Sequence, residues 1–240
     1  MKAPTLGSAV CMLLWATACG SHSSSNAAAP GPDAEQSLPS ECNAAAGLES
    51  PLLLDDFEDG DLALARASNL HGRWYVNNDG TGEQTPIPGA ETEGLVDSTG
   101  SLESPTHALH TSGSDFQLWG AFAAAHLNAS RSHVCAYDLS SYAGLHLSLK
   151  GAGSLRVNLG TVATTPIVDG GSCNAENCSD YGKSVDLSDD WRSLDLPFAE
   201  LAQPDWASPA ALNLEQSLRL SFWAEDHDFE FWVDDLRFYQ

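Results

Sequence analysis

Short runs in which apolar and polar residues alternate are the feature that most limits the possible folds of this chain. Residues 145–149, 155–159 and 218–222 alternate cleanly, and clusters of Gly, Pro, Asn and Ser separate such runs. A two-residue period with turn residues between the runs is typical of antiparallel strands. Three further runs fit the same interpretation: residues 115–122, 191–196 and 229–233. The pattern predicts an all-β, two-sheet antiparallel β-sandwich, although residues 121–127 could instead form a helical turn.

The first eighteen residues have the layout of a bacterial lipoprotein signal. Lys2 is their only charge, an apolar stretch covers residues 6–15, and small residues precede Cys19. This layout predicts that residues 1–18 are removed and that Cys19 is lipidated, with an ordinary cleaved signal as the alternative. Residues 19–50, rich in Ser, Ala and Pro, would form a flexible tether, and residues 51–240 one β domain. The expected location is the cell envelope, with an outer-membrane anchor through the acyl chain alone, facing the periplasm or the exterior.

Four cysteines remain in the predicted mature chain besides Cys19. An even number in an oxidising compartment predicts disulfide bonds. The short loop between Cys173 and Cys178 favours a local bridge, which leaves Cys42 to pair with Cys135. Zinc binding by the close pair is the alternative, but the sequence offers no second close pair and the nearest histidines are distant.

The chain is strongly acidic, with a formal net charge of −23. Such a surface should repel nucleic acid and anionic lipid, so neither is an expected partner. High charge can also indicate disorder, but 42% hydrophobic residues and seven tryptophans favour a packed core. A monomer is the expected state.

Acidic residues interrupt strand-like apolar runs at both ends of the predicted domain, in residues 52–61 and 231–239. If the first and last strands pair, these carboxylates converge, and hard oxygen ligands suit calcium. The predicted ligands of a structural Ca2+ are Glu58, Asp61, Asp234 and Asp235. The alternative is that both segments are solvated acidic turns.

The polar positions of the alternating runs carry groups that suit a sugar. Aromatic rings stack on the apolar face of a pyranose, and planar polar side chains pair with its hydroxyls. Trp119 and Trp223 are therefore the predicted stacking platforms. The predicted polar contacts are His146, Arg156, Asn158 and Arg219. The alternative is a solvated sheet face whose tryptophans are covered by a loop.

Trp74 and Tyr75 precede the turn signal Asn78-Asp79-Gly80, where they could rim the ligand groove or fill the core. Catalytic motifs are missing from the sequence, which has no Gly-x-Ser-x-Gly elbow, no His-Glu-x-x-His and no Gly-rich phosphate loop. The chain is therefore expected to bind a ligand without transforming it.

Several short motifs resemble the galactose-binding-like jelly rolls, and in particular the family 11 carbohydrate-binding modules and related carbohydrate-binding lipoproteins of predatory and social soil bacteria. The motifs are Asp55-Asp56-Phe57-Glu58-Asp59-Gly60, Trp119-Gly120, residues 137–145 and residues 232–238. The resemblance covers roughly residues 51–240. It implies a concave glycan-binding face and a structural calcium held by Glu58 and the terminal aspartates.

The expected function is non-catalytic binding of a polysaccharide or oligosaccharide by a membrane-anchored lipoprotein. A protein–protein interaction module of the cell envelope is one alternative. A jelly-roll hydrolase or lyase acting on glycans is another, and it would need carboxylates converging in a groove with perturbed pKa values.

Overall fold

A computed structural model describes residues 45–46, 50–65, 70–89, 94–129 and 133–240. The predicted signal, Cys19, Cys42 and nearly all of the predicted tether lie outside these residues, so the assignments made for them stay predictions. Within the described part, none of the helices has the length and apolar character needed to cross a membrane.

The described residues form sixteen strands joined by turns and short 3-10 helices. The strands are β1 (Ala45–Ala46), β2 (Leu52–Asp55), β3 (Trp74–Asn78), β4 (Glu83–Thr85), β5 (Val96–Asp97), β6 (Ala108–Ser114), β7 (Ala121–His126), β8 (Asn128–Ala129), β9 (Val134–Cys135), β10 (Tyr137–Asp138), β11 (Gly144–Ala152), β12 (Ser154–Thr161), β13 (Tyr181–Asp186), β14 (Arg192–Pro197), β15 (Ser217–Ala224) and β16 (Phe229–Tyr239). The 3-10 helices are Ile167–Asp169, Phe198–Glu200 and Leu214–Gln216.

Two seven-stranded sheets form a sandwich, which confirms the predicted all-β fold. The front sheet has the order β1-β10-β15-β12-β13, and β7 also pairs with β15 and carries β3 on its other side. The back sheet has the order β14-β11-β16-β6-β4, with β2 on β16 and β5 on β6. The predicted meeting of the first and last strands of the domain is confirmed, because Leu52 of β2 lies opposite Phe238 of β16.

The core fills the space between the two sheets. Its largest members are fully buried aromatic residues, among them Phe57, Trp74, Phe222, Phe231 and Phe238. All but Phe57, which lies in the turn after β2, come from strands and point to the buried side of their sheet. Burying such rings supplies most of the stabilisation that a sandwich of this size needs, at about 25 cal/mol per Å² of apolar surface.

The segment before β7 departs from the predicted strand at residues 115–122. Only its last two residues belong to a strand, because the chain turns at Asp115 (φ 64°) and Gly120 (φ 80°), in a conformation that a strand excludes. Gln117 and Trp119 therefore lie on a loop at the end of the front sheet. That loop, and not strand alternation, determines where Trp119 points.

The alanine-rich segment that follows is a strand rather than a helical turn. Ala123 lies opposite Val76 and Phe222, and Ala125 lies opposite Trp74. The small alanines leave room for the rings of Trp74 and Phe222 to approach each other, with their centroids 5.8 Å apart. Packing between bulky neighbours therefore overrides the helical preference of alanine.

The Cys173–Cys178 disulfide is present, as the sequence predicts. It closes part of the long connection between β12 and β13. Cys135 is also disulfide-bonded, and its predicted partner Cys42 falls outside the described residues.

Candidate functional site

The outer face of the front sheet carries a groove of about 630 Å³. Strand register places side chains in rows that run across the strands, and alternate residues of a strand point to the same side. The first row consists of Asn77, Phe122, Trp223 and Arg156. The second row consists of Tyr75, Ala124, Ser221, Asn158 and Gly182. The third row contains His126, Arg219 and Gly160.

Four aromatic rings form a continuous cluster centred on the first row, which we call the aromatic row: Phe122 and Trp223 of the first row, Tyr75 at the start of the second row, and Trp119 on the loop before β7. Phe122 and Trp223 stack at 4.8 Å with an interplanar angle of 15°. Trp119 lies 5.3 Å from Trp223, and Tyr75 meets Phe122 edge-on at 6.1 Å. The indole N–H of Trp223 donates to Ser221 Oγ at 3.1 Å, which fixes the orientation of the ring. Trp119 is 43% exposed, so one ring of the cluster is widely available to a ligand.

The loop that carries Trp119 is fastened to the turn after β3 by one carboxylate. Asp79 Oδ2 accepts the backbone N–H of Gly120 at 2.7 Å and that of Leu118 at 3.2 Å, on either side of Trp119. The backbone N–H of Asp79 in turn donates to the carbonyl of Gly120 at 3.0 Å. Asp79 is therefore a positioning residue for Trp119, although the sequence alone indicated only a turn.

Replacing Asp79 with alanine is expected to weaken glycan binding about tenfold, because Trp119 would no longer be held in place before the ligand arrives. Isothermal titration against a bound glycan measures the loss. Glu83→Ala is the matched control, since it removes an equal charge at an exposed position of β4 that does not line the groove. Equal affinities of Asp79→Ala and wild type would contradict the positioning role.

A buried ion pair lies at the opposite side of the groove floor. Arg219 Nε and Nη2 both reach Asp180 Oδ2 at 2.9 Å, and Arg219 Nη1 lies 3.5 Å from Asp169. Burial alone would lower the pKa of Arg219, but Asp180, Tyr75 and Asp169 raise it above its ordinary value. The guanidinium is therefore a permanently charged group held by the protein itself.

Neighbouring titratable groups respond to the same environment. Burial raises the pKa of Tyr75 above its ordinary value. Burial, and then the charge of Arg219, lower the pKa of His126, so its imidazole stays neutral around pH 7. The His126 ring stacks on Tyr75 at 5.6 Å, which extends the aromatic surface toward the ion pair.

Two connecting segments complete the groove walls. The connection from β12 to β13 contributes Thr164, Pro166, Asp169, Cys178, Ser179 and Asp180. The connection after β14 contributes Pro204 and Trp206, and the indole of Trp206 is 62% exposed.

Six of the eight predicted sugar-binding residues line this groove: Tyr75, Trp119, Arg156, Asn158, Arg219 and Trp223. The other two do not. His146 lies on β11 of the back sheet, where Nδ1 is 2.7 Å from Asp195 Oδ1. Alternation indicates which residues point outward, but it does not tell to which sheet a strand belongs. Trp74 is fully buried in the core, and its indole N–H donates to Asp55 at 2.8 Å.

Sequence reasoning missed several residues of the groove, among them Asn77, Phe122, Asp169, Asp180, Trp206 and Glu225. Asn77 could have been found, since it shares strand parity with Tyr75 on β3. Phe122 could not, because the turn at Gly120 breaks the alternation between Trp119 and Phe122. Trp206, Asp169 and Asp180 lie in irregular connections, which carry no periodic signal.

The four predicted calcium ligands do not form a cluster. Within the described ranges, no group of three or more His, Cys, Asp or Glu side chains could hold a metal ion. Asp235 is fully buried and accepts hydrogen bonds from the hydroxyl groups of Ser101, Ser104 and Ser148. Asp234 accepts the backbone N–H groups of Ser101 and Asp235 at 2.8 and 2.7 Å.

Hydrogen-bond donors surround the other two predicted ligands as well. Glu58 accepts the backbone N–H groups of Thr106 and His107 at 3.0 and 3.1 Å. Asp61 is exposed and closes a local turn by accepting the N–H of Ala63 at 2.6 Å. In this structure these carboxylate oxygens accept N–H and O–H donors, and Glu58, Asp61, Asp234 and Asp235 therefore stay predicted ligands only. Calcium binding itself stays a prediction, which a chelator-dependent melting temperature would test.

The buried carboxyl group of Asp55 should make the stability of the protein decrease as the pH rises. Burial raises the pKa of Asp55 from 3.8 to about 7, and the nearby carboxylates of Asp59 and Asp56 add to this increase. Hydrogen bonds from Phe57 and Trp74 lower the pKa but offset the increase only in part. The folded chain thus binds this proton more tightly than the unfolded chain. Its contribution to stability is complete below about pH 4 and is lost as the pH rises through about 7.

Urea denaturation at a series of pH values measures this contribution. We expect the decline in the free energy of unfolding between about pH 4 and 7 to be shallower in Asp55→Asn than in wild type. The altered contact with Trp74 changes the free energy of unfolding of the variant by the same amount at every pH. It therefore shifts the curve of the variant but does not change its slope. Parallel curves for the two proteins would contradict the assignment.

Comparison with known proteins gives a family match. The model of the family described as carbohydrate binding domain 30 matches residues 62–240. No curated protein matches the chain.

Solved structures that resemble the chain include three carbohydrate-binding modules. The family 11 carbohydrate-binding module of the cellulosomal cellulase Lic26A-Cel5E of Clostridium thermocellum is 15% identical, with 79% of this chain and 94% of that chain covered and a TM-score of 0.49. The family 11 module from the same organism in complex with a β-1,3-1,4-mixed-linked tetrasaccharide is also 15% identical, with 80% and 96% covered and a TM-score of 0.48. The family 30 module of the cellulosomal cellulase Cel9D-Cel44B of Clostridium thermocellum is 16% identical, with 69% and 90% covered and a TM-score of 0.44.

Proposed function

This chain belongs to the carbohydrate binding domain 30 family, and we propose that it binds a neutral oligosaccharide or polysaccharide in the front-sheet groove without cleaving it. The observation that carries the proposal is the aromatic row beside polar side chains on one groove floor. Sugar rings present apolar faces to aromatic rings and hydroxyls to polar groups, so a site of this kind needs both.

The polar groups of the groove suit hydroxyls on both sides of the aromatic row. Arg156 Nη2 donates to the carbonyl of Ala202 at 2.7 Å, which holds its guanidinium beside Trp223. Asn158 is buried in the second row, next to Ser221. Glu225 accepts the hydroxyl of Ser184 at 2.7 Å at the rim. These groups offer donors and acceptors at fixed positions, which is what recognition of hydroxyls requires.

The charges of the groove favour a neutral ligand. Its lining contains two cations, Arg156 and Arg219, and three anions, Asp169, Asp180 and Glu225. Arg219 is already paired within the protein, and the whole chain carries a net charge of −23. Uronate or sulfate groups would therefore meet repulsion rather than an available counter-ion.

Titration against a panel of neutral and acidic oligosaccharides tests the proposal. Cello-, xylo-, manno- and laminari-oligosaccharides form the neutral arm, and oligogalacturonates the acidic arm. We expect saturable binding of at least one neutral member, no binding of the acidic members, and no new reducing ends after long incubation. Failure of every neutral glycan to bind would overturn the proposal, and release of reducing ends would replace binding with hydrolysis.

We also propose that the protein works as a monomer attached to the outer membrane through a lipid on Cys19. Support comes from the sequence of residues 1–19 and from the Ser-, Ala- and Pro-rich segment after it, whose length would let the groove reach a glycan away from the membrane. Mass spectrometry of the mature amino terminus is the direct test. We expect an acylated Cys19 in wild type, and loss of membrane association in Cys19→Ala.

A further inference from the structure

The groove has a direction, because its rows run across the strands from β3 to β13. The middle row is made of small side chains after Tyr75: Ala124, Ser221, Asn158 and Gly182. The aromatic row rises on one side of this row, and Arg219 with the β12–β13 connection rises on the other. A sugar chain bound in the groove would therefore lie along the small residues, perpendicular to the strands.

The segment that follows β14 lies at the β13 end of this path. Ala202 and Gly182 exchange two backbone hydrogen bonds, of 3.1 and 3.0 Å, so this segment runs along the outer edge of β13. The chain then rises into the groove, where Pro204 and Trp206 become part of its lining. Arg156 fastens the same segment from the floor through its bond to the carbonyl of Ala202.

A second connection braces this obstruction. Asn177 Nδ2 donates to the carbonyl of Trp206 at 2.5 Å, and Ser208 donates to Asn177 through both its N–H (3.0 Å) and its hydroxyl (2.9 Å). Gln203 Nε2 donates to the carbonyl of Ser179 at 2.7 Å. The Cys173–Cys178 disulfide fixes the chain next to Asn177, and Cys178 itself lines the groove. We call Asn177, Cys178, Pro204 and Trp206 the end wall.

The opposite end has no comparable obstruction among the described residues. β7 is the one strand that pairs with β3 among the described residues, and on the other side of β3 only its first residue is hydrogen-bonded, from the N–H of Trp74 to the carbonyl of Leu62 at 2.8 Å. Tyr75 and Asn77 of β3 line the groove there, and no residue of the described chain beyond β3 contributes to the lining. The path is therefore open over β3 and blocked at β13.

We propose that this groove receives a glycan chain by its terminus, with the terminal sugar against Trp206 and the rest of the chain leaving over β3. This inference rests on the proposed carbohydrate-binding function. An internal segment of a long chain would have to continue through the end wall, whereas a terminal sugar ends there. The exposed indole of Trp206 provides an apolar surface against which that last ring packs.

The stoichiometry of binding to a soluble polysaccharide tests the inference. The probe is the polymer whose oligosaccharide binds in the panel, in short, medium and long fractions of known chain number. If the terminus is recognised, the number of protein molecules bound per chain at saturation stays at one as the chain lengthens. A number that grows with chain length would overturn the inference and leave the proposed function standing. No binding of any fraction or oligosaccharide would instead remove the proposed function.

Removing the end wall gives a second measurement. In Trp206→Ala we expect either weaker binding of short oligosaccharides, by at least fivefold, or more than one protein molecule per long chain. Val168→Ala is the matched control, since Val168 is 91% exposed on the braced connection and does not line the groove. Melting temperatures establish that both variants are folded. Wild-type affinity together with wild-type stoichiometry in Trp206→Ala would contradict the role of the end wall.

Discussion

Replacing Trp223 with alanine is expected to weaken glycan binding by about 10- to 100-fold. Trp223 is the centre of the aromatic row, in contact with both Phe122 and Trp119. A platform that buries a sugar face contributes about 1.5 to 3 kcal/mol, and each 1.4 kcal/mol corresponds to a tenfold change in affinity. Trp119→Ala should also weaken glycan binding, because the ring of Trp119 is more exposed to a ligand than that of Trp223. Isothermal titration with the best oligosaccharide of the panel measures both.

Two control variants separate a binding effect from a general loss of structure. Trp232→Ala removes an indole from the outer face of the back sheet, where Trp232 stacks on His110 at 4.2 Å. Leu118→Ala removes a 70% exposed apolar side chain next to Trp119 in the same loop, outside the groove lining. Both should bind like wild type. Comparable losses in Trp223→Ala and Trp232→Ala would show that the front-sheet groove is not the site.

Replacing Asp180 with alanine is expected to lower the free energy of unfolding by about 3 to 5 kcal/mol, the range for breaking a buried ion pair. The side chains of Arg219 and Asp180 are 9% and 5% exposed, so the guanidinium would lose its main counter-ion away from water. Asp180 also accepts the hydroxyl of Thr164 at 2.9 Å, which would lose its acceptor as well. Urea denaturation measures the change. Asp169 lies 3.5 Å from Arg219 at an exposed position and compensates only in part.

A double substitution distinguishes the loss of a pair from the loss of one charge. Arg219→Met combined with Asp180→Leu removes both charges and fills the site with apolar groups, so it should be more stable than Asp180→Ala. It should nevertheless bind glycan less well than wild type, because the groove loses its fixed polar side. If Asp180→Ala unfolds at the urea concentration of wild type, the pair has no stabilising role.

The sequence predicted the strands of the sandwich well where apolar residues alternate with polar ones. β11, β12, β14, β15 and β16 fall on predicted alternating runs. It predicted β7 poorly, because alanines that fit beneath Trp74 and Phe222 carry no strand signal of their own. It also placed Trp119 on a strand, although left-handed turns at Asp115 and Gly120 end the strand pattern on both sides.

For the acidic segments at the two ends of the domain, the sequence likewise predicted the strand pairing but not the surroundings of the side chains. The pairing of β2 with β16 was predicted, since both ends of the domain carry apolar runs that need a partner. The surroundings of Asp235 could not be predicted, because its serine partners come from residues 101 and 104 and from β11. Those hydroxyls supply donors at the position where the sequence alone suggested a cation.

What the sequence determined by itself is the class of fold and the kind of chemistry on its exposed strand positions. Alternation is a local property: it follows from the geometry of a single strand, and it requires no knowledge of the neighbours. The tertiary structure alone decided which strands share a sheet, and so it brought Arg156, Arg219 and Trp223 together while sending His146 to the opposite face. It alone decided that Trp206 rises at the end of the groove, because hydrogen bonds between distant connections, rather than any pattern in the chain, hold that segment in place.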